Sequence, residues 1–356
     1  MSEPRVGIIG AGAWGTAVAK ILADNGHSVA MWAFEQSVVD SINLDHCNDR
    51  YLPGISLPKN IYAHSDVSIA ASDRDYLIIA TPSLYTLPIV RSLLTVPSVA
   101  EGQCRIGILT KGFINTPRGS RLIVETLEDY LPGFYKDSIA YISGPSHAEE
   151  VAQGKLTGLI SASRNPKTSI AFRNLLDSPT LKVFSSLDVI GVQVCGAMKN
   201  VIAIAFGMLD ALTERQGGIA GDNTESLLLA AGLNEIQIMG AALGSTHPET
   251  FTSIAGVGDL DVTCRSHFGR NRRFGREVVL ENSLKPFTNI DCLIENIDQI
   301  GYLPEGVFAA RAAWNVISNK NLKMPISTGV FKILNKEFDP SQAVELILSS
   351  KNEWTL

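Results

Sequence analysis

The sequence predicts an α/β protein: an N-terminal parallel-sheet domain followed by an all-helical C-terminal domain. Three observations carry that prediction. A glycine-rich turn, Gly10-Ala-Gly12-Ala-Trp14-Gly15, separates an apolar run from a helical pattern. Short β-branched runs then alternate with helical segments through the first half of the chain. After about Ser185 the alternation stops, and long helical segments take over.

Val6–Ile9 reads as the first strand, Thr16–Asp24 as the helix after it, Ser28–Trp32 as the second strand and Gln36–Leu44 as a helix. Tyr76–Ala80, Arg105–Leu109 and Ile139–Ile142 continue the strands, and Ser120–Tyr130 is expected to be helical. Strands separated by helices imply crossover connections and hence a parallel sheet. Val189–Leu209, Thr224–Leu243, Arg272–Leu280, Gly306–Ser318 and Ser341–Leu348 read as helices, and Pro286, Pro304, Pro325 and Pro340 mark breaks. The pattern changes near Asp188, which divides the chain into residues 1–188, a parallel-sheet domain, and 189–356, a helical domain. No low-complexity linker joins them, so a long connecting helix is expected.

A chain of 356 residues suits two domains and buries a sizeable core without disulfides or metal. Its charged fraction of 19% lies under the usual ~25% and argues against disorder. A net charge of −6 offers no general attraction to nucleic acid or anionic lipid, so an anionic substrate needs a local basic site. The five cysteines are odd in number and widely spaced, with no CxxC, which points to a reducing cytoplasm and no metal site. No apolar run approaches 18 residues, so no integral membrane segment is expected, and the N-terminus reads as neither a signal nor a transit peptide.

The glycine-rich turn is a GxGxxG motif in the context that gives it meaning. Gly10 permits the tight turn and Gly12 lets the backbone approach a pyrophosphate. Gly15 lets helix and strand pack closely, and the helix N-terminus supplies N–H donors. This is a Rossmann-like arrangement that predicts NAD or NADP. The end of the second strand, Met31-Trp32-Ala33-Phe34-Glu35, bears on which. An acid there accepts from the adenosine ribose, and an arginine accommodates a 2′-phosphate. Glu35 stands slightly late, either as that acid or as a solvated residue near a helix start. Apart from His46 there is no basic residue from Ser28 to Asp49, which leans the reading to NAD.

In an open parallel sheet, ligands lie beyond the carboxyl ends of the strands. Lys111, in Leu109-Thr-Lys111-Gly112, is placed there to meet an anion, and Ser143-Gly144-Pro145-Ser146 follows a strand in the same way. In the helical half, Lys199 and Asn200 interrupt an almost wholly apolar helix. Burial of an unpartnered lysine is costly and lowers its pKa towards the range of a general acid/base. Further on, glycines flank Asp259, and Gly269-Arg270-Asn271-Arg272-Arg273 reads as a compact triple-arginine loop, a concentrated positive spot for a small phosphate. Without aromatic interleaving or a basic domain, it is a poor nucleic-acid patch.

The ordered set GAGAWGTA, LTKG, ISGPS, CGAMKNVIAIA, GDNTESLLLAAGLNEI, AGVGDL, TCRS and GRNRRFG resembles the NAD(P)-dependent glycerol-3-phosphate dehydrogenase family, from about Arg5 to Leu348. The resemblance implies a Rossmann domain, a helical C-terminal domain, a cytoplasmic homodimer, and interconversion of dihydroxyacetone phosphate and sn-glycerol 3-phosphate. It implies that Lys199 is the proton donor/acceptor at the C2 oxygen, with Asp259 beside it. It assigns Lys111, Gly144, Ser146, Asn200, Thr263, Arg270 and Asn271 to the substrate. Gly10, Gly12, Trp14, Gly15, Phe34, Lys111, Ala148, Arg270, Leu303 and Glu305 fall to the cofactor. The chain departs from the usual bacterial pattern at Ala230-Ala231, His147 and Gly269. These departures leave open a paralogous dehydrogenase for another phosphorylated or carboxylated hydroxy compound. MWAFE resembles the eukaryotic, NAD-preferring form.

Overall fold

The computed structural model describes residues 3–116, 119–216, 220–266 and 269–340. The chain forms two compact units, Met1–Ile114 with Ile123–Val189, and Asn115–Leu122 with Ile190–Leu356. The strands, in chain order, are β1 (Arg5–Ile9), β2 (Ser28–Trp32), β3 (Cys47–Asn48), β4 (Leu52–Ser56), β5 (Ile61–His64), β6 (Tyr76–Ile79), β7 (Arg105–Ile108), β8 (Phe113–Thr116), β9 (Gly119–Leu122), β10 (Ala140–Ser143), β11 (Thr157–Ala162) and β12 (Leu181–Ser186).

The first unit is built on an eight-stranded sheet in the order β12-β11-β10-β7-β6-β1-β2-β5. Every pairing is parallel except β10 with β11. The central strands are apolar on both faces, as helix-covered parallel strands must be: Val6, Ile8, Ile9, Leu77, Ile78 and Ile79 are all buried. Their register positions the chemistry. Ile9 lies opposite both Trp32 and Ile79, and Ile79 lies opposite Ile108. The segments leaving β1, β2, β6 and β7 therefore emerge along one edge, the ligand edge of such a sheet. The first strands and helix fall where the sequence reading puts them, with the helix at Ala13–Asp24.

Several features differ from that reading: β5, β11 and β12 lie in segments it leaves unassigned, and β11 pairs antiparallel with β10. Ser120–Leu122 is strand β9, paired with β8, and the helix begins only at Ile123. Ser120 Oγ accepts from Asn315 Nδ2 at 3.2 Å, so this stretch is fixed by a tertiary contact that helical periodicity does not reveal. A small antiparallel pair, β3 with β4, occupies the region after Gln36–Leu44.

The second unit is helical. Val189–Gln216 runs 28 residues. Asp222–Leu243, Asp259–Arg265, Arg270–Leu280, Glu305–Lys320 and Pro325–Leu334 follow. The expected helix at 341–348 lies outside the described residues. Close crossings need glycine: a Cβ on Gly207 would lie 1.9 Å from the Arg272 carbonyl oxygen, and one on Gly275 would lie 2.1 Å from that of Ile204. Among the described residues, two helices, Val189–Arg215 and Asp222–Leu243, are long and apolar enough to cross a membrane by length and composition alone. The first owes its hydropathy to burial within the protein.

Candidate active site

The dinucleotide end is assembled at the tips of β1 and β2. Gly10 adopts φ 123°, and its N–H donates to the Trp32 carbonyl at 3.1 Å, tying the turn to the second strand. A Cβ on Gly10 would lie 2.9 Å from the Ala80 backbone, and one on Gly15 would lie 2.1 Å from the Gly10 carbonyl oxygen. A Cβ on Gly12 would meet nothing within 4 Å, so open space lies over the start of the helix. No side chain caps that helix, whose first N–H groups are therefore open to an anion. Trp14 Nε1 is buried without a partner among the described residues. Phe34, 82% exposed, presents a bare aromatic face at the tip of β2. These features fit a dinucleotide: a glycine cradle for pyrophosphate and a planar platform for a base.

Sequence reasoning missed the residues that complete this corner. Asn48, buried on β3, donates through Nδ2 to the Ala11 carbonyl and to Thr16 Oγ1, both at 2.8 Å. It thereby fixes the hairpin to the glycine-rich turn. The chain then carries Arg50 and Tyr51 back to Glu35: Tyr51 Oη donates to Glu35 Oε1 at 2.5 Å, and an Arg50 guanidinium nitrogen lies 3.6 Å from the same oxygen. Burial, then the Glu35 hydrogen bond, push the Tyr51 phenol up from its ordinary value. The stretch without basic residues ends at Asp49, so the tip of β2 does have a cation. The signal for it was the Asn48–Arg50 turn, which local periodicity does not mark.

Further along the same edge, Lys111 Nζ donates to the Gly144 carbonyl at 3.1 Å and to Ser146 Oγ at 3.0 Å. Gly144 takes φ 130° to present that carbonyl. The structure thus brings Lys111, Gly144 and Ser146 together across the ends of β7 and β10. His147 is the N-cap of the short helix that opens at the buried Ala148.

The second unit holds the other cluster. Lys199 is 7% exposed and Asp259 fully buried, and Lys199 Nζ donates to Asp259 Oδ1. The lysine therefore has a partner, which its surroundings demand. Asp259 opens its helix directly after the π-helical turn Ile254–Gly258, where a Cβ on Gly256 would lie 1.9 Å from the Phe251 carbonyl oxygen. Thr263 Oγ1 donates to the Asp259 carbonyl at 2.6 Å. Asn271 Nδ2 donates to Asn200 Oδ1 at 2.9 Å, and Asn271 Oδ1 accepts from the Gly306 N–H at 2.8 Å. That chain joins three helices beside Lys199. Glu305 stands at the start of the third, two residues after Leu303.

The triple-arginine loop is corrected. Arg270–Leu280 is a helix that starts after Gly269, and its arginines diverge. Arg272 Nε donates to Asp210 at 2.6 Å. Arg273 Nε donates to Glu277 at 2.6 Å and its guanidinium lies over the Tyr302 ring. Arg270, in the first turn, is exposed and has no ion pair among the described residues. The concentrated positive spot reduces to Arg270 and an uncapped helix start. Helical spacing turns Arg272 away from Arg270 and Arg273, and Asp210 and Glu277 claim Arg272 and Arg273, neither of which a loop reading sees.

A parallel sheet with this glycine turn, joined to a helical unit with a buried lysine–aspartate pair, defines a two-unit Rossmann-type protein. Residues 5–169 match the NAD-dependent glycerol-3-phosphate dehydrogenase N-terminus, and residues 188–345 match its C-terminus. A glycerol-3-phosphate dehydrogenase [NAD(P)+] of Treponema denticola is 54% identical over 97% of this chain and 98% of that protein. One of Bacillus velezensis is 35% identical, over 97% and 94%. The crystal structure of the Coxiella burnetii glycerol-3-phosphate dehydrogenase superposes with a TM-score of 0.83 at 30% identity, covering 98% of this chain and 99% of that one. The chain belongs to the NAD-dependent glycerol-3-phosphate dehydrogenase family.

Proposed function

We infer that this protein interconverts dihydroxyacetone phosphate and sn-glycerol 3-phosphate with NAD or NADP. The observation that carries the reading is the buried Lys199–Asp259 pair beside the Asn200–Asn271–Gly306 chain. A bound nicotinamide supplies or takes up the hydride. Gly10, Gly12, Trp14 and Gly15 hold the pyrophosphate side of the dinucleotide, with Phe34 against its base. Lys111, Ala148, Arg270, Leu303 and Glu305 also serve that ligand.

Arg270 and the open N–H groups at the start of its helix hold the substrate phosphate. Asn200, Thr263 and Asn271 orient the carbon chain, with Lys111, Gly144 and Ser146 as further substrate contacts. Lys199 gives a proton to the C2 ketone oxygen as C2 is reduced, and takes it from the hydroxyl in the reverse direction. Asp259, hydrogen-bonded to the lysine, orients it before transfer. Proton transfer by a positioned group contributes typically 10²–10⁴-fold.

The enzyme acts in the cytoplasm on this reading, which the five free cysteines support, and the family resemblance implies a homodimer. The deciding experiment is steady-state oxidation of NADH and of NADPH with dihydroxyacetone phosphate. Turnover with another phosphorylated or carboxylated hydroxy compound exceeding that with dihydroxyacetone phosphate would replace the reading with a paralogous dehydrogenase.

A further inference from the structure

We propose that Arg50 is a specificity-determining residue for the dinucleotide, supplying the positive charge that admits a 2′-phosphate on the adenosine ribose. The proposal rests on the dehydrogenase reading above and extends it to the choice between NAD and NADP.

The tip of β2 carries opposed charges. Glu35 follows the strand by three residues and lies on the same edge as the glycine-rich turn, to which Gly10 N–H ties Trp32. An acid in this region accepts from free ribose hydroxyls and repels a phosphate dianion. Alone, it would restrict the protein to NAD. Arg50 reaches the same place from a different element, because Asn48 fastens the β3 hairpin to Ala11 and Thr16.

The two residues are not locked together. The closest approach of the Arg50 guanidinium to Glu35 is 3.6 Å, longer than a hydrogen bond, and the arginine side chain is 59% exposed. Tyr51 instead makes the short bond to Glu35 and holds it in place. The guanidinium fork therefore retains donors for a phosphate, its preferred planar partner. With a 2′-hydroxyl, Glu35 accepts the hydrogen bond. With a 2′-phosphate, Arg50 offsets the Glu35 charge.

The test is equilibrium binding of NAD+ and NADP+ to the full chain without substrate, by calorimetry, at two salt concentrations. Arg50→Met is expected to lower affinity for NADP+ at least tenfold more than affinity for NAD+. Arg50→Lys is expected to restore part of that difference. Glu35→Gln is expected to shift the ratio towards NADP+. Added salt is expected to weaken NADP+ binding more in wild type than in Arg50→Met. A purely structural role for Arg50 would move both affinities together, and an unchanged ratio in Arg50→Met would overturn the proposal while leaving the dehydrogenase reading intact. Failure of the wild type to bind either dinucleotide would overturn both.

Discussion

Lys199 Nζ donates to Asp259 Oδ1 within the helical unit, with both side chains buried. The pair explains how a lysine survives in an apolar helix: the aspartate compensates its charge, and the π-helical turn Ile254–Gly258 delivers that aspartate. Removing one member of such a pair strands the other.

Lys199→Ala is therefore expected to lower kcat for dihydroxyacetone phosphate reduction by about 10²–10⁴-fold. It also removes the cation from beside the buried Asp259, so urea unfolding is expected to show a loss of about 3–5 kcal/mol. Undiminished turnover would remove Lys199 from the proton-transfer role whatever the stability result.

Much of this was legible in the sequence, and what escaped has a common cause. The GxGxxG context, the central strand segments and the Lys199 helix follow from local periodicity and residue type. Ser120–Leu122 did not, because its helical-looking pattern yields to a tertiary contact with Asn315. The arginines at 270, 272 and 273 could be counted but not sorted, since Asp210 and Glu277 claim two of them. Arg50 was missed because its relation to Glu35 runs through Asn48 and the Ala11 carbonyl, a link no spacing rule encodes.

Of the three arginines, only Arg270 is left for substrate on this account. Arg270→Ala is expected to raise KM for dihydroxyacetone phosphate about 10- to 100-fold, the scale of a lost hydrogen bond to a charged group. Arg273→Ala is expected to change KM little, since Arg273 serves Glu277 and Tyr302. Equal effects of the two substitutions would restore the triple-arginine clamp.

The crossing between the Lys199 helix and the Arg270 helix depends on two glycines. A Cβ on Gly207 would approach the Arg272 carbonyl oxygen to 1.9 Å, and backbone cannot rotate aside. Gly207→Ala should force the helices apart and cost about 1–3 kcal/mol. Because Asn271 reaches Asn200 across the same crossing, KM should rise as well. A substitution that preserved both the urea midpoint and KM would show that the crossing yields without cost.

Glu235 sets a pH dependence away from the chemistry. It is 2% exposed, and its two oxygens accept from the Ile326 N–H at 2.6 Å, the Ser327 N–H at 2.9 Å and Ser327 Oγ at 2.6 Å. These are the first amide donors of the helix Pro325–Leu334, because Pro325 has none. Burial outweighs the three hydrogen bonds and pushes the carboxyl up to about 7. Between the unfolded value near 4.5 and that folded value, the native state holds a proton the unfolded chain has released. Stability from this group is thus full below about pH 4.5, and it declines as pH rises towards 7, with a slope of up to ~1.4 kcal/mol per pH unit. Glu235→Gln should be less stable at pH 5, since its amide faces donors with a donor, yet should show a flatter profile from pH 5 to 7. Urea midpoints of both proteins across that range decide the matter. Parallel profiles would mean that Glu235 is ionised throughout and that the helix N-terminus, rather than burial, controls it.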